Sequence, residues 1–126
     1  MSEINYFSKQ ERSCPCCGQD KMNEAFMTKL NILRYLLGEP MYATSMYRCR
    51  KHNAEIGGAP ESGHTKGIAA DFKRLSDSYT YRVVSLAIML GFKGIEVGTK
   101  HIHLDDIPRE KPILFPGISK GGSNVK

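Results

Sequence analysis

Two segments of the chain carry helical periodicity long enough to bury a face, and glycine and proline cut most of the rest into short runs. From Asn23 to Leu37 the residues Ala25, Phe26, Leu30, Leu33, Leu36 and Leu37 recur near helical spacing, and Gly38-Glu39-Pro40 supplies the stop. The second segment opens on caps at Ser76-Asp77-Ser78, runs through Leu90 and closes at Gly91, with Val83, Val84, Ala87, Ile88 and Leu90 as its apolar stripe. Met41 to Ser45, Ile68 to Phe72, Lys93 to Val97 and His101 to Leu104 read as short strands, the last two joined at Gly98-Thr99 as a hairpin. Arg50 to Ile56 reads as a helical turn ended by Gly57-Gly58-Ala59-Pro60. These elements predict an α+β fold with a small, largely antiparallel sheet and flanking helices.

At 126 residues the chain suffices for one domain, expected over residues 1–119, with a polar tail at 120–126 too flexible to pack. No stretch approaches the roughly 20 apolar residues of a membrane helix. The opening Met1–Ser13 lacks the basic start and apolar run of a signal peptide. The expectation is a monomer made in the cytoplasm with no membrane anchor. A net charge of +5 suits an anionic partner such as nucleic acid or a bacterial wall polymer. The basic residues are dispersed, however, and the spacings of common nucleic-acid modules are missing, so the charge reads as a solvated surface and no nucleic-acid partner is expected.

His64 and Asp71 lie seven residues apart, a spacing that neither a continuous helix nor a continuous strand brings onto one ion. Gly63 and Gly67 resolve this, because a turn through Thr65-Lys66-Gly67 folds the strand carrying Asp71 back beside a loop histidine. In His101-Ile102-His103, strand alternation points both imidazoles to one face, so that one can bind metal while the other stays close. Two histidines, a carboxylate and an open position form the donor pattern of catalytic zinc, whereas magnesium and calcium want more oxygen ligands. The competing reading is plain: scattered histidines are commonly surface or hydrogen-bonded core residues, and Asp71 could cap a turn.

A longer pattern surrounds these residues. Thr44-Ser-Met-Tyr-Arg48, Asn53, Gly57-Gly58-Ala59 and Ser62-Gly-His64-Thr-Lys-Gly67-Ile-Ala69-Ala-Asp71 together resemble the central signature of the zinc D-Ala-D-Ala carboxypeptidases and L-alanyl-D-glutamate endopeptidases. His101-Ile-His103-Leu-Asp105 matches that family's second motif, and Phe7-Ser-Lys-Gln-Glu11 followed by cysteines looks like its short, often phage-encoded members. The resemblance implies the small α+β fold shared with the hedgehog signalling domain. It implies zinc (Zn2+) on His64, Asp71 and His103, substrate binding by Arg48 and Ser62, and a catalytic role for His101 with Arg48. Its implied partner is a peptidoglycan stem peptide, met at the bacterial cell wall after release or from a phage particle. Many relatives carry a glutamate as general base three residues before the last ligand; that position here is Lys100. This leaves His101 to handle protons, with Glu96 as the alternative and Asp105 available to orient an imidazole.

Cys14, Cys16 and Cys17 form a tight cluster, and Cys49-Arg-Lys-His52 reads as C-x-x-H against the C-x-x-C of Cys14 and Cys17. Three cysteines and a histidine could hold a second, structural zinc, although the halves are farther apart than in common fingers. Reduced buried thiols, or a disulfide from Cys49 to the cluster, are the alternatives. Three functions thus follow from the sequence: a zinc peptidase of peptidoglycan stems, a metal-binding module without turnover in wall recognition or phage assembly, and a cysteine-zinc module binding nucleic acid.

Overall fold

A computed structural model describes residues 5–58 and 62–116. The expected tail, the domain end at 119 and residues 59 and 60 of the expected glycine-rich stop lie outside them. The chain runs through α1 (Lys9–Arg12), α2 (Glu24–Leu37), β1 (Ala43–Ser45), α3 (Arg50–Glu55), a 3-10 turn (Gly63–Lys66), β2 (Ala69–Lys73), α4 (Asp77–Leu90), β3 (Gly94–Val97), β4 (His101–Asp105) and β5 (Ile113–Pro116). This is an α+β fold with one five-stranded sheet in the order β1-β2-β4-β3-β5. Three pairings are antiparallel and the last, β3 with β5, is parallel.

Both long helices begin and end where their caps dictate. Asn23 Oδ1 accepts the Phe26 N–H at 2.9 Å and Ser76 Oγ the Tyr79 N–H at 3.1 Å. Gly38 and Gly91 close the two helices in the left-handed conformation that residues with a Cβ resist. α2 and α4 pack together over one face of the sheet, so that Phe26, Leu30, Leu33 and Val83 share a core with Phe72, Ile102 and Leu104.

The buried stripes are narrower than the sequence suggests. Ala25 and Leu36 of α2 are exposed, and Met27 takes their place in the core. In α4 Ile88 is 58% exposed and Val84 and Leu90 are only half-buried, whereas Tyr79 and Thr80 are buried. At 3.6 residues per turn Ile88 sits about 140° round the helix from Val83, beyond the reach of the sheet.

Two elements have no counterpart in the sequence reading. α1 is a single turn, too short for periodicity, held by a capping box between Ser8 and Glu11. β5 is a short apolar run bracketed by Pro112 and Pro116, which reads as loop; at the sheet edge Pro116 is tolerated because one side of that strand needs no partner. Among the described residues no helix is long and apolar enough to cross a membrane.

Strand alternation divides the sheet into two chemical faces. Ala70, Phe72, Ile95, Ile102 and Leu104 turn toward the helices and are buried. Asp71, Glu96 and His103 turn the other way, and register aligns them: His103 pairs with Asp71 on one side and with Glu96 on the other.

Candidate metal centre

His64 is the residue that must be brought to this row from outside the sheet. Ser62 Oγ accepts the His64 N–H at 3.1 Å and starts the 3-10 turn, and Gly67 at φ +72° ends it with its N–H directed to the carbonyls of Gly63 and His64. The chain enters β2 two residues later, which sets His64 Nε2 3.3 Å from Asp71 Oδ2. Asp71 turns its other oxygen to His103, whose Nδ1 lies 2.8 Å from Oδ1. The two imidazole centroids are 5.6 Å apart. One donor atom from each of His64, Asp71 and His103 lies within 4.8 Å of the others, a separation suited to an ion with ligand bonds of about 2 Å.

The outer nitrogens of both rings are occupied, which decides the atoms left free. His64 Nδ1 lies 2.7 Å from the Met46 carbonyl, so that nitrogen donates there and Nε2 is the one turned to Asp71. His103 Nε2 donates to Asp105 Oδ2 at 2.8 Å, leaving Nδ1 to face Asp71. Asp105 is 1% exposed and is itself fixed by Arg109 at 2.8 Å and the Ile107 N–H at 3.0 Å. Ligating histidines commonly carry such carbonyl and carboxylate partners, which orient the ring and raise its basicity. The donor set therefore fits a divalent ion of the zinc type, with His64 offering Nε2, His103 offering Nδ1 and the Asp71 carboxylate between them.

Metal-free, the cluster is a partly buried ion pair. Burial opposes the His103 imidazolium, but hydrogen bonds to Asp105 and Asp71 outweigh it and raise the pKa to about 9. Burial likewise opposes ionisation of Asp71, yet His103 and His64 hold it well below the usual carboxylate range.

The other predicted residues surround this cluster. Arg48 is half-buried, its Nε has no hydrogen-bond partner among the described residues, and its Nη2 lies 3.5 Å from Ser62 Oγ. Burial lowers its pKa while the attraction of Asp71 opposes that shift. Arg48 also lines a groove of about 950 Å³ between residues 8–18, β1 and α3, which approaches the donor cluster at this residue without including its three members. Ser62 serves as the cap of the His64 turn as well as the neighbour of Arg48. His101 shares the strand face of His103 but is more exposed, and its Nε2 faces Glu96 Oε2 at 4.0 Å. Asp105 orients an imidazole, and that imidazole is His103. Arg109 and the Met46 carbonyl were not anticipated: the first lies past the motif, and a backbone oxygen leaves no mark in a sequence. Cys14, Cys17 and Cys49 meet in a second cluster, while Cys16 is exposed.

No curated protein matches the chain. The family model described as Peptidase M15 matches residues 2–105, a span that contains His64, Asp71, His101 and His103. Peptidases of that family are zinc-dependent, and the donor set described above is of the kind they require. The chain belongs to the M15 peptidase family.

Proposed function

We propose that this chain hydrolyses an amide bond in the peptide stems of bacterial peptidoglycan, as a D-Ala-D-Ala carboxypeptidase or an endopeptidase, in wall lysis or remodelling. The observation that carries the reading is the convergence of His64 Nε2, the Asp71 carboxylate and His103 Nδ1, each ring held from behind by Met46 or Asp105. Zinc bound by these three donors supplies Lewis acidity toward an amide carbonyl and toward water.

The remaining residues divide the work of binding and proton transfer. Arg48 offers a planar fork, with a buried N–H unpaired among the described residues, to a substrate carboxylate or to negative charge developing on a carbonyl oxygen. Ser62 braces both the Arg48 guanidinium and the His64 turn. His101 takes up and returns the proton, with the Glu96 carboxylate facing its Nε2 at 4.0 Å. Lys100 in place of the familiar glutamate favours the second reading, a metal-binding module without turnover. Glu96, paired with His103 across β3 and β4, weighs against it by supplying a carboxylate on the same face.

The deciding experiment is incubation of zinc-loaded protein with purified peptidoglycan, followed by mass spectrometry for new amino termini. Release of terminal alanine or of new stem amino termini is the expected result. Intact stems in the presence of zinc-loaded protein would leave the module without turnover.

A further inference from the structure

The second cluster of thiols lies away from the sheet and takes no part in the reading above. Cys14-Pro15-Cys16-Cys17-Gly18 folds into a tight loop: the Gly18 N–H donates to the Cys14 carbonyl and the Cys14 N–H to the Gln19 carbonyl, both at 2.8 Å, with Gly18 at φ +74°. The loop turns backbone N–H groups of Cys16 and Cys17 toward Cys14 Sγ. The same sulfur accepts the Cys49 N–H at 3.4 Å from a segment 35 residues away. Cys49 Sγ in turn accepts the His52 N–H at 3.4 Å.

Packing does not account for this arrangement. Cys14 is buried, but Cys17 is exposed and Cys49 half-exposed, so the three sulfurs meet near the surface and not in the apolar core. None of the four cysteines forms a disulfide. The Sγ atoms of Cys14, Cys17 and Cys49 nevertheless lie within 4.8 Å of one another. A tetrahedral zinc with Zn–S bonds of about 2.3 Å sets its sulfurs about 3.8 Å apart, which asks for at most a small contraction. His52 follows Cys49 by one turn and lines the same groove as Cys14 and Arg48, but its ring nitrogens stand outside the group of sulfurs that meet, so its side chain must turn to complete the set.

We propose that Cys14, Cys17 and Cys49, with His52 as fourth donor, form a second metal site that takes zinc as a structural ion. Soft thiolates select zinc over magnesium or calcium, and a closed Cys3His set leaves no position for substrate. On binding, three thiol protons pass to solvent and no redox change occurs. The ion ties the loop at 14–18 to Cys49, the residue next to Arg48, and so stiffens the groove wall on which the guanidinium is carried. The site stands or falls independently of the peptidase reading.

Its test is metal stoichiometry and cobalt spectroscopy on the full chain purified under reducing conditions. The wild type should bind two zinc ions, His64→Ala one, and the double variant Cys14→Ser/Cys17→Ser one. With cobalt, wild type and His64→Ala should both show sulfur-to-cobalt charge transfer, and the double cysteine variant should not. His52→Ala should weaken the sulfur site by tenfold or more. The His64→Ala spectrum reads sulfur ligation even if the cysteine variant fails to fold. One zinc in the wild type with no charge-transfer band would overturn the site, as would an intact mass lowered by the hydrogens lost to a disulfide. Weakening by Cys16→Ser and not by His52→Ala would overturn the fourth donor, since the Cys16 side chain also reaches Cys49.

Discussion

His103 donates through Nε2 to a carboxylate of Asp105 that is 1% exposed, at 2.8 Å. Arg109 and the Ile107 N–H fix the other oxygen of that carboxylate, so the ring cannot rotate without breaking a buried network. Asp105 is therefore a positioning residue for the metal centre. Asp105→Asn keeps the shape but gives up the charge that raises the basicity of the ring, and zinc affinity should fall by about 10- to 100-fold. A chelator competition titration reads this directly; unchanged affinity would reduce the pair to packing.

Proton linkage gives the metal-free protein a defined pH window. His103 has its pKa raised from 6.5 to about 9, so its contribution to stability is complete below 6.5 and is lost as pH rises through about 9. Asp71 is shifted down from 3.8, so its contribution is present above that value and fades as pH falls. These are two ends of one ion pair, and metal-free protein should be most stable between about pH 4 and 6.5. Zinc must displace the His103 proton, so its affinity should climb by up to about tenfold per pH unit toward pH 9. Competition titrations corrected for the chelator would show a flat profile if His103 were no ligand.

Gly67 and Gly38 share a left-handed backbone but not a neighbourhood. A Cβ at Gly67 would lie 2.1 Å from the Lys21 carbonyl oxygen, whereas one at Gly38 meets nothing within 4 Å. Gly38→Ala should cost only the conformational penalty, about 1 kcal/mol. Gly67→Ala adds a backbone clash and should cost at least about 1 kcal/mol more, with weaker zinc binding because the His64 turn must shift. Equal denaturation midpoints for the two variants would remove the steric argument.

What the sequence disclosed and what it withheld follow the range of the interactions involved. The two helices were legible because their caps and stripes are local, and the approach of His64 to Asp71 because Gly63 and Gly67 permit one tight turn. Strand alternation placed His101 and His103 on one face and left the choice between them to the family resemblance; the pairing of β4 with β2 makes His103 the neighbour of Asp71. Such register depends on residues 32 positions apart. Arg109, the Met46 carbonyl and the parallel strand β5 are supports of the same long-range kind. The exposed Ile88 shows the reverse limit, in which an apolar residue near the right spacing has no surface to meet.

The proposed function assigns binding to His103 and proton transfer to His101, since both face one way but of the two only His103 touches Asp71. His103→Ala should cost the zinc of this centre. His101→Ala should retain it and lower kcat by about 10²- to 10⁴-fold, the range for a lost general acid or base. Metal content, and not activity alone, must therefore distinguish the two variants. If His101→Ala loses zinc while His103→Ala keeps it, the ligand and the base exchange places. If His101→Ala keeps both zinc and full rate, the proton passes elsewhere, and Glu96, whose carboxylate faces His101 Nε2 at 4.0 Å, becomes the group to remove. Glu96→Gln with normal zinc and no turnover would then make that carboxylate the base, acting from β3 directly across the pairing from His103.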